Sequence, residues 1–414
     1  MTIAAKLRAS VKNPKGLASQ FSAVLFGRML AASLQAITVF LLAKWSTVTA
    51  FGACMALLGL LTALQTLGDL GASTFVSKEV ASNGRNDRVT RARRMSAFAT
   101  SLISAVGILA TAAWSILQSR YELLWLTPLW IWLTIERANE IDVAIYIGEK
   151  RSAVAMTSLI VRRAGTLVLM LLLTILGAEP IFAFGVASLL AGVATKVALG
   201  IKAENAPAAK ESVALSEILS ESKHYWMHSF SLQARNIDSS LVAVLAGTAQ
   251  AGFYSLGSRL LTPLRMVPTA MATVLLPHAS KSGIARYSLG RILLMTGLLG
   301  APYLALAATW PMVIPLLFHG KFDEAIGPLQ LLTVSIAFTS TTSIFSALLQ
   351  GAGHGAAVSR ISIATTFATI LGVACGSAGW GAFGAALAYA LASVLHSALI
   401  ILQFTLKTNK ASIT

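Results

Sequence analysis

Charge is what this 414-residue chain has little of. Asp, Glu, Lys and Arg make up 12% of it, while 56% is hydrophobic and the mean hydropathy is +0.74. A soluble domain carries roughly 25% charged residues, so this composition excludes an ordinary water-soluble domain and implies an integral membrane protein. Acid is scarcer than base: 16 Asp and Glu stand against 32 Lys and Arg, for a net charge of +16. A nucleic-acid binder gathers such an excess on an accessible polar surface. Here the excess sits in short loops between apolar runs, and no nucleic-acid partner is expected. The two cysteines, Cys54 and Cys375, lie far apart inside apolar runs, which excludes a disulfide framework and a CxxC site. No nucleophile–histidine–acid set, P-loop or zinc signature appears, so neither an enzyme nor a cofactor is expected.

What the chain does have is a series of apolar runs, each near the roughly 20 residues that cross a bilayer as a helix. Hydropathy predicts twelve spans: Leu17–Ala43, Gly52–Val76, Met95–Leu117, Leu123–Ile147, Ala153–Leu176 and Ile181–Ile201, then His224–Ala246, Ala251–Leu276, Ile292–Leu317, Ala325–Leu349, Ala356–Ser377 and Ala382–Leu406. The fifth is interrupted by Arg162 and Arg163 and is the weakest of them. The basic N-terminus (Lys6, Arg8, Lys12, Lys15) imitates a signal peptide. Its apolar run is too long for one and lacks a small-x-small cleavage site, which predicts an uncleaved first span.

Loop charge sets the orientation. One side holds the N-terminal four, Lys78, Arg85, Arg88, Arg91, Arg93, Arg94, Lys150 and Arg151. It also holds Lys202, Lys210, Lys223, Lys281, Arg286, Arg291, Arg360, Lys407 and Lys410, against only Lys44, Arg120 and Lys321 on the other. This bias predicts both termini in the cytoplasm. The longest connection, from Lys202 to Lys223, is polar and faintly amphipathic around Val213, Leu215, Ile218 and Leu219, as a short surface helix would be. It divides the chain into an N-terminal six-helix lobe (1–202), a linker (203–222) and a C-terminal six-helix lobe (223–414). A weak echo relates the halves: Arg28 precedes Ser33-Leu34 as Arg235 precedes Ser240-Leu241, and Phe51-Gly52 answers Gly252-Phe253. Duplicated lobes are common among transporters.

The stretch from His224 to Lys281 carries the most informative residues: Arg235, Asp238, Arg259 and Arg265 inside two predicted spans. A cation at mid-membrane costs at least about 2.5–3.5 kcal/mol, so such residues usually face a cavity and act there. Three arginines against one aspartate make that cavity cationic and point to transport of an anion. Arginine suits a phosphate because its planar fork donates two parallel charge-assisted hydrogen bonds. Arg259 and Arg265 stand about 120° apart around a helix and need not serve one ligand group, and Pro263 and Pro268 predict a kinked or broken span. Arg28 lies on the first span and Asp69 near the end of the second. Blander readings stand beside these: an Arg235–Asp238 salt bridge that only packs helices, a snorkelling Arg28, a capping Asp69. Glu136, Arg137, Glu140 and Asp142 of the fourth span, facing Arg162 and Arg163 of the fifth, read as a buried structural network. Glu221, His224 and His228 have metal-ligand spacing but no supporting Cys/His pair, and no metal is expected.

These residues resemble the oligosaccharide flippases (Wzx-type polysaccharide transporters) of the multidrug/oligosaccharidyl-lipid/polysaccharide exporter superfamily. The resemblance rests on Phe51-Gly52, Asp69-Leu70-Gly71 with Glu79, the basic loop after it, Asp238, Gly247-Thr248, Ala251-Gly252-Phe253-Tyr254, Arg259, and Leu276-Pro277 with Ser280. It implies an all-α polytopic protein with about twelve transmembrane helices, in two six-helix lobes around a central cavity lined by spans one, two, seven and eight. It implies alternating access that moves a polyprenyl-diphosphate-linked oligosaccharide across a bacterial cytoplasmic membrane, with polysaccharide polymerase and export proteins as conceivable partners. In that picture Arg28, Arg235, Arg259 and Arg265 bind the substrate, and Asp69 or Asp238 is where ion coupling or gating would sit. A multidrug antiporter of the same superfamily wants an acidic, aromatic site for cations, which the arginines disfavour. A membrane polymerase or ligase wants a sizeable outer loop, and the short loop with His319, Asp323 and Glu324 is not one.

Overall fold

A computed structural model describes residues 17–119, 121–200, 216–222, 226, 237–282 and 288–411, and among these every regular element is helical. The first part comprises α1 (Leu17–Trp45), α2 (Val48–Asp69), α3 (Ala72–Asn83), α4 (Asp87–Leu117), α5 (Thr127–Gly148), α6 (Ser152–Ile175) and α7 (Pro180–Leu199). A short helix, α8, covers 216–222. The second part comprises α9 (Asp238–Ala246), α10 (Thr248–Leu260), α11 (Thr262–Ser282), α12 (Leu289–Phe318), α13 (Ile326–Gly351) and α14 (Gly355–Ala411). Eight helices among the described residues are long and apolar enough to cross a membrane. The longest, α14, is interrupted at Trp380 and Gly381, where Gly381 adopts φ 58°. At 1.5 Å per residue each half of α14 still exceeds a hydrocarbon core of about 30 Å.

The chain divides into two compact units. Unit 1 is Met1–Thr38 with Leu58–Asn236, and unit 2 is Val39–Leu57 with Ile237–Thr414. The tip of the α1–α2 hairpin therefore belongs to unit 2 although its sequence lies among the unit 1 helices.

Three boundaries differ from the hydropathy pattern. The second span does not run to Val76. It stops at Asp69, because Leu70 and Gly71 both take left-handed backbone (φ 52° and 78°), and α3 starts afresh. A Cβ on Gly71 would lie 2.4 Å from the Ser222 carbonyl oxygen, so the turn needs glycine for room as well as for its φ. α3 buries Ala72, Phe75, Val76, Glu79 and Val80, one helical stripe, in a cluster with Ile145, Tyr146 and Ile218. The eighth span is split in two: α10 ends at Leu260 and α11 begins at Thr262. The expected proline break falls just before Pro263, whose ring disfavours helical backbone at the preceding residue and leaves the Arg259 carbonyl without its helical donor. The fifth span is unbroken, since α6 carries Arg162 and Arg163 within a continuous helix. Of the seventh span, only Trp226 and residues 237–246 lie within the described residues.

Candidate functional site

In unit 2 the site begins at a helix crossing. Gly247 takes φ 93° and separates α9 from α10, allowing both helices to return across the unit 2 portion of α2. A Cβ on Gly52 would sit 1.7 Å from the Thr248 carbonyl oxygen, and one on Gly252 would sit 2.7 Å from that of Val48. Backbone meets backbone there, which only glycine permits. The flanking Phe51 and Phe253 both pack edge-on against Phe322, at 5.8 and 6.1 Å between ring centres. The two glycine–aromatic pairs that echo each other in sequence thus face each other in space.

This crossing anchors α10, in which every residue from Ala251 to Ser258 is buried. Tyr254 is fully buried, and its phenol donates to Asp238 Oδ2 at 2.8 Å. The other carboxylate oxygen of Asp238 accepts from the Ser239 backbone N–H at 2.6 Å and from its hydroxyl at 3.3 Å. Just beyond Tyr254, Arg259 has Asp238, Arg265 and Cys54 as its leading electrostatic neighbours. Arg265, on α11, lies over the ring of Tyr389 at 5.4 Å. Arg259 Nε and Arg265 Nη2 are buried and make no hydrogen bond. Neither guanidinium is among the ion pairs of the described residues, all of which lie in unit 1. Buried N–H groups left unmade cost about 1–3 kcal/mol each; Arg88, Arg137 and Arg162 of unit 1 also carry such an atom, but those three guanidinium groups are ion-paired and these two are not.

Unit 1 treats its buried charges differently. Arg162 Nη1 and Nη2 lie 2.8 Å from Glu136 and 2.8 Å from Glu140, and Arg163 reaches the other oxygen of Glu136 at 2.9 Å. This is the predicted network between spans four and five. Two of its expected members pair elsewhere: Arg137 with Asp69 of α2, and Asp142 with Arg93 of α4 and Lys196 of α7. Helical spacing is the reason, since residues 136 and 140 share one face of α5 while 137 and 142 turn toward other neighbours. Asp69 also accepts from the Ser73 backbone N–H at 3.1 Å and from its hydroxyl at 3.0 Å, which caps the start of α3.

Two further pieces of unit 1, α8 and Trp226, are fastened to its other helices. Ile218 of α8 is buried, Arg88 pairs with both Glu217 and Glu221, and the Trp226 indole N–H donates to the Thr66 carbonyl at 3.2 Å. Phe75, Lys78, Glu79 and Glu221 line a cavity of about 280 Å³ there. Burial alone would raise the Glu79 carboxyl pKa, but hydrogen bonds from Asn83 and Asn86 and the Arg88 charge outweigh it and hold it below the ordinary value. In unit 2, the Lys321 ammonium donates to the carbonyls of Ala43, Lys44 and Ser46, closing the C-terminal end of α1. Its pKa is pulled down by burial.

Of the residues singled out in the sequence, Asp238, Arg259 and Arg265 are brought together and Asp69 is joined to Arg137. Arg28 is exposed on α1, beside Gly27, where a Cβ would lie 2.5 Å from Met156 Cβ. Arg235, His224 and His228 lie outside the described residues. Sequence reasoning passes over Lys196, an isolated cation in an apolar span, and gives no role to Tyr254 or Tyr389. A phenol within two apolar helices carries no signal of its own until its partner is known.

Three comparisons bear on this arrangement. Residues 17–283 match the model of a family described as "Polysaccharide biosynthesis protein". No curated protein matches the chain by sequence. Among solved structures, the chain is similar to a multidrug resistance MATE family transporter of the MOP superfamily in its inward-facing conformation, at 17% identity over 99% of both chains with a TM-score of 0.66. The outward-facing conformation of such a transporter matches at 17% identity, over 96% of this chain and 99% of that one, with a TM-score of 0.61. A MOP superfamily transporter from Pyrococcus furiosus, whose binding pocket is described as having reverse polarity, matches at 17% identity over 96% and 99%, with a TM-score of 0.60. The whole-chain likeness shows that this chain shares the multi-pass fold of these MOP superfamily transporters. By the family match over most of its length, this chain belongs to the polysaccharide biosynthesis protein family.

Proposed function

We propose that this protein flips a polyprenyl-diphosphate-linked oligosaccharide across a bacterial cytoplasmic membrane by alternating access, using twelve spans with both termini in the cytoplasm. The observation that carries this reading is the pair Arg259 and Arg265, half-buried on α10 and α11, each with a buried N–H that makes no hydrogen bond and neither with an ion-paired carboxylate among the described residues. A diphosphate supplies the acceptors they lack: its oxygens take bidentate, charge-assisted hydrogen bonds from guanidinium groups. Membership of the polysaccharide biosynthesis protein family supports a glycan as the cargo, and the transporter fold supports movement across the bilayer. Arg28 and Arg235 are proposed as further substrate contacts, each tested by its own glutamine substitution, and Asp69 and Asp238 as places where coupling or gating would act. The proposed organisation keeps a lobe at 1–202, a linker at 203–222 and a lobe at 223–414.

The test is leaflet translocation in proteoliposomes. A polyprenyl-diphosphate oligosaccharide is supplied on one side, and its sugar is probed from the other with an impermeant hydrolase. Protein-dependent exposure that Arg259→Gln abolishes is the expected result. Absence of exposure across several glycans, with imposed proton and sodium gradients, together with transport of a cationic drug, would establish the antiporter reading instead.

A further inference from the structure

We infer that Tyr254 is a positioning residue for the anion site: its phenol keeps the Asp238 carboxylate engaged, so that the N–H groups of Arg259 and Arg265 stay available to a diphosphate. The inference rests on the reading of these arginines as the diphosphate site and adds how the site is kept open.

The starting point is a conflict. A carboxylate and two guanidinium groups share one half-buried region, and Asp238 is the leading charge acting on Arg259. In a medium of low dielectric an arginine–carboxylate pair is the strongest contact open to either group. Unit 1 of this same chain forms it repeatedly, as Arg162 does with Glu136 and Glu140. Yet Asp238 gives both oxygens to uncharged donors, Oδ2 to the Tyr254 phenol at 2.8 Å and Oδ1 to the Ser239 N–H at 2.6 Å. Ser239, the second residue of α9, fixes one oxygen locally. Tyr254 comes from the neighbouring helix and fixes the other.

The consequence follows from what a phenol supplies. It donates one hydrogen bond and adds no charge. The Asp238 charge therefore still offsets part of the field of the two arginines at a distance, which lowers the cost of burying them. Its oxygens do not occupy their donors, in keeping with the unbonded Arg259 Nε and Arg265 Nη2. Tyr254 is fully buried and rigidly packed on α10, next to the glycine crossing, so its hydroxyl has a fixed place from which to hold the carboxylate. On the other side, Tyr389 offers Arg265 a ring face instead of an acid, at 5.4 Å. A ring face leaves the in-plane N–H groups of a guanidinium free.

The experiment measures farnesyl diphosphate binding to the purified full-length protein in detergent, by calorimetry, with thermal melting recorded for each variant. Tyr254→Phe keeps the ring and removes the donor. It is expected to weaken binding at least about tenfold, because the released carboxylate closes on Arg259. Asp238→Asn removes the competitor and is expected to bind as tightly as the wild type or a few-fold tighter. In the Asp238→Asn background, Tyr254→Phe is expected to cost less than about threefold. Equal losses from Tyr254→Phe in both backgrounds, or a tenfold loss from Asp238→Asn in a protein that melts normally, would overturn the positioning role. Arg259→Gln separates this failure from that of the underlying reading. If Arg259→Gln weakens binding while Tyr254→Phe does not, the diphosphate site stands and the role of Tyr254 falls. If the wild type does not bind the probe, or Arg259→Gln binds it unchanged, both fall together.

Discussion

Both units of this protein carry arginine inside apolar helices, and they answer its charge under opposite rules. In unit 1, Arg162 and Arg163 meet Glu136 and Glu140, Arg137 meets Asp69, and Lys196 and Arg93 share Asp142. In unit 2, Arg259 and Arg265 have no carboxylate at ion-pair distance among the described residues, and the one acid near them is held by a phenol and a serine. Desolvating a charge is costly, and pairing is the usual remedy. Charges that are paired serve the fold; charges left open at that cost are retained for something that arrives from outside. On the proposed reading, this contrast, more than the number of arginines, is what points to the second unit as the place where substrate is met.

The comparison breaks most visibly through stability. Arg162→Gln leaves Glu136 and Glu140 short of their shared partner, and removing one member of a buried pair costs about 3–5 kcal/mol. Thermal unfolding in detergent should report that loss. Arg259→Gln should leave the melting temperature unchanged or raise it, because it relieves an unpaired charge. Equal destabilisation by the two would erase the distinction between the units.

Transport provides the reciprocal expectation. Arg259→Gln and Arg265→Gln should each lower translocation at least about tenfold, near 1.4 kcal/mol of lost interaction. Arg163→Gln, read in the same proteoliposome assay and normalised to folded protein, should not. A smaller effect concerns Glu79. Its carboxyl pKa is depressed in the folded protein, so its contribution to stability is complete above the unfolded value of about 4.3 and is lost as the pH falls through the lower native value. The fall in melting temperature on acidification should therefore be shallower in Glu79→Gln than in the wild type. The smallest effect is Lys321→Met, which removes an ammonium from the C-terminal carbonyls of α1 and should cost about 0.3–1 kcal/mol.

Several features are legible in the order of residues alone. Apolar runs bounded by basic loops mark the helices, because a span must be both long enough and free of charge. Opposite charges at matching depth in spans four and five point to the Arg162–Glu136 network. Prolines 263 and 268 announce the interruption near Leu261. The end of α2 at Asp69 is not legible, since Leu70, Gly71 and the apolar stripe of α3 continue the hydropathy pattern while the backbone turns left-handed. Nor is the partner of Asp69: Arg137 is distant in sequence, and only packing selects it over the nearer arginines.

A multi-helix membrane protein with arginines inside its apolar runs can be read from residue order, because hydropathy and charge are sums over neighbouring residues. Which arginines find an acid is visible only in the folded chain. Pairing depends on distances of a few ångströms between helices, whether distant in sequence, as for Arg137 and Asp69, or consecutive, as for Tyr254 and Asp238.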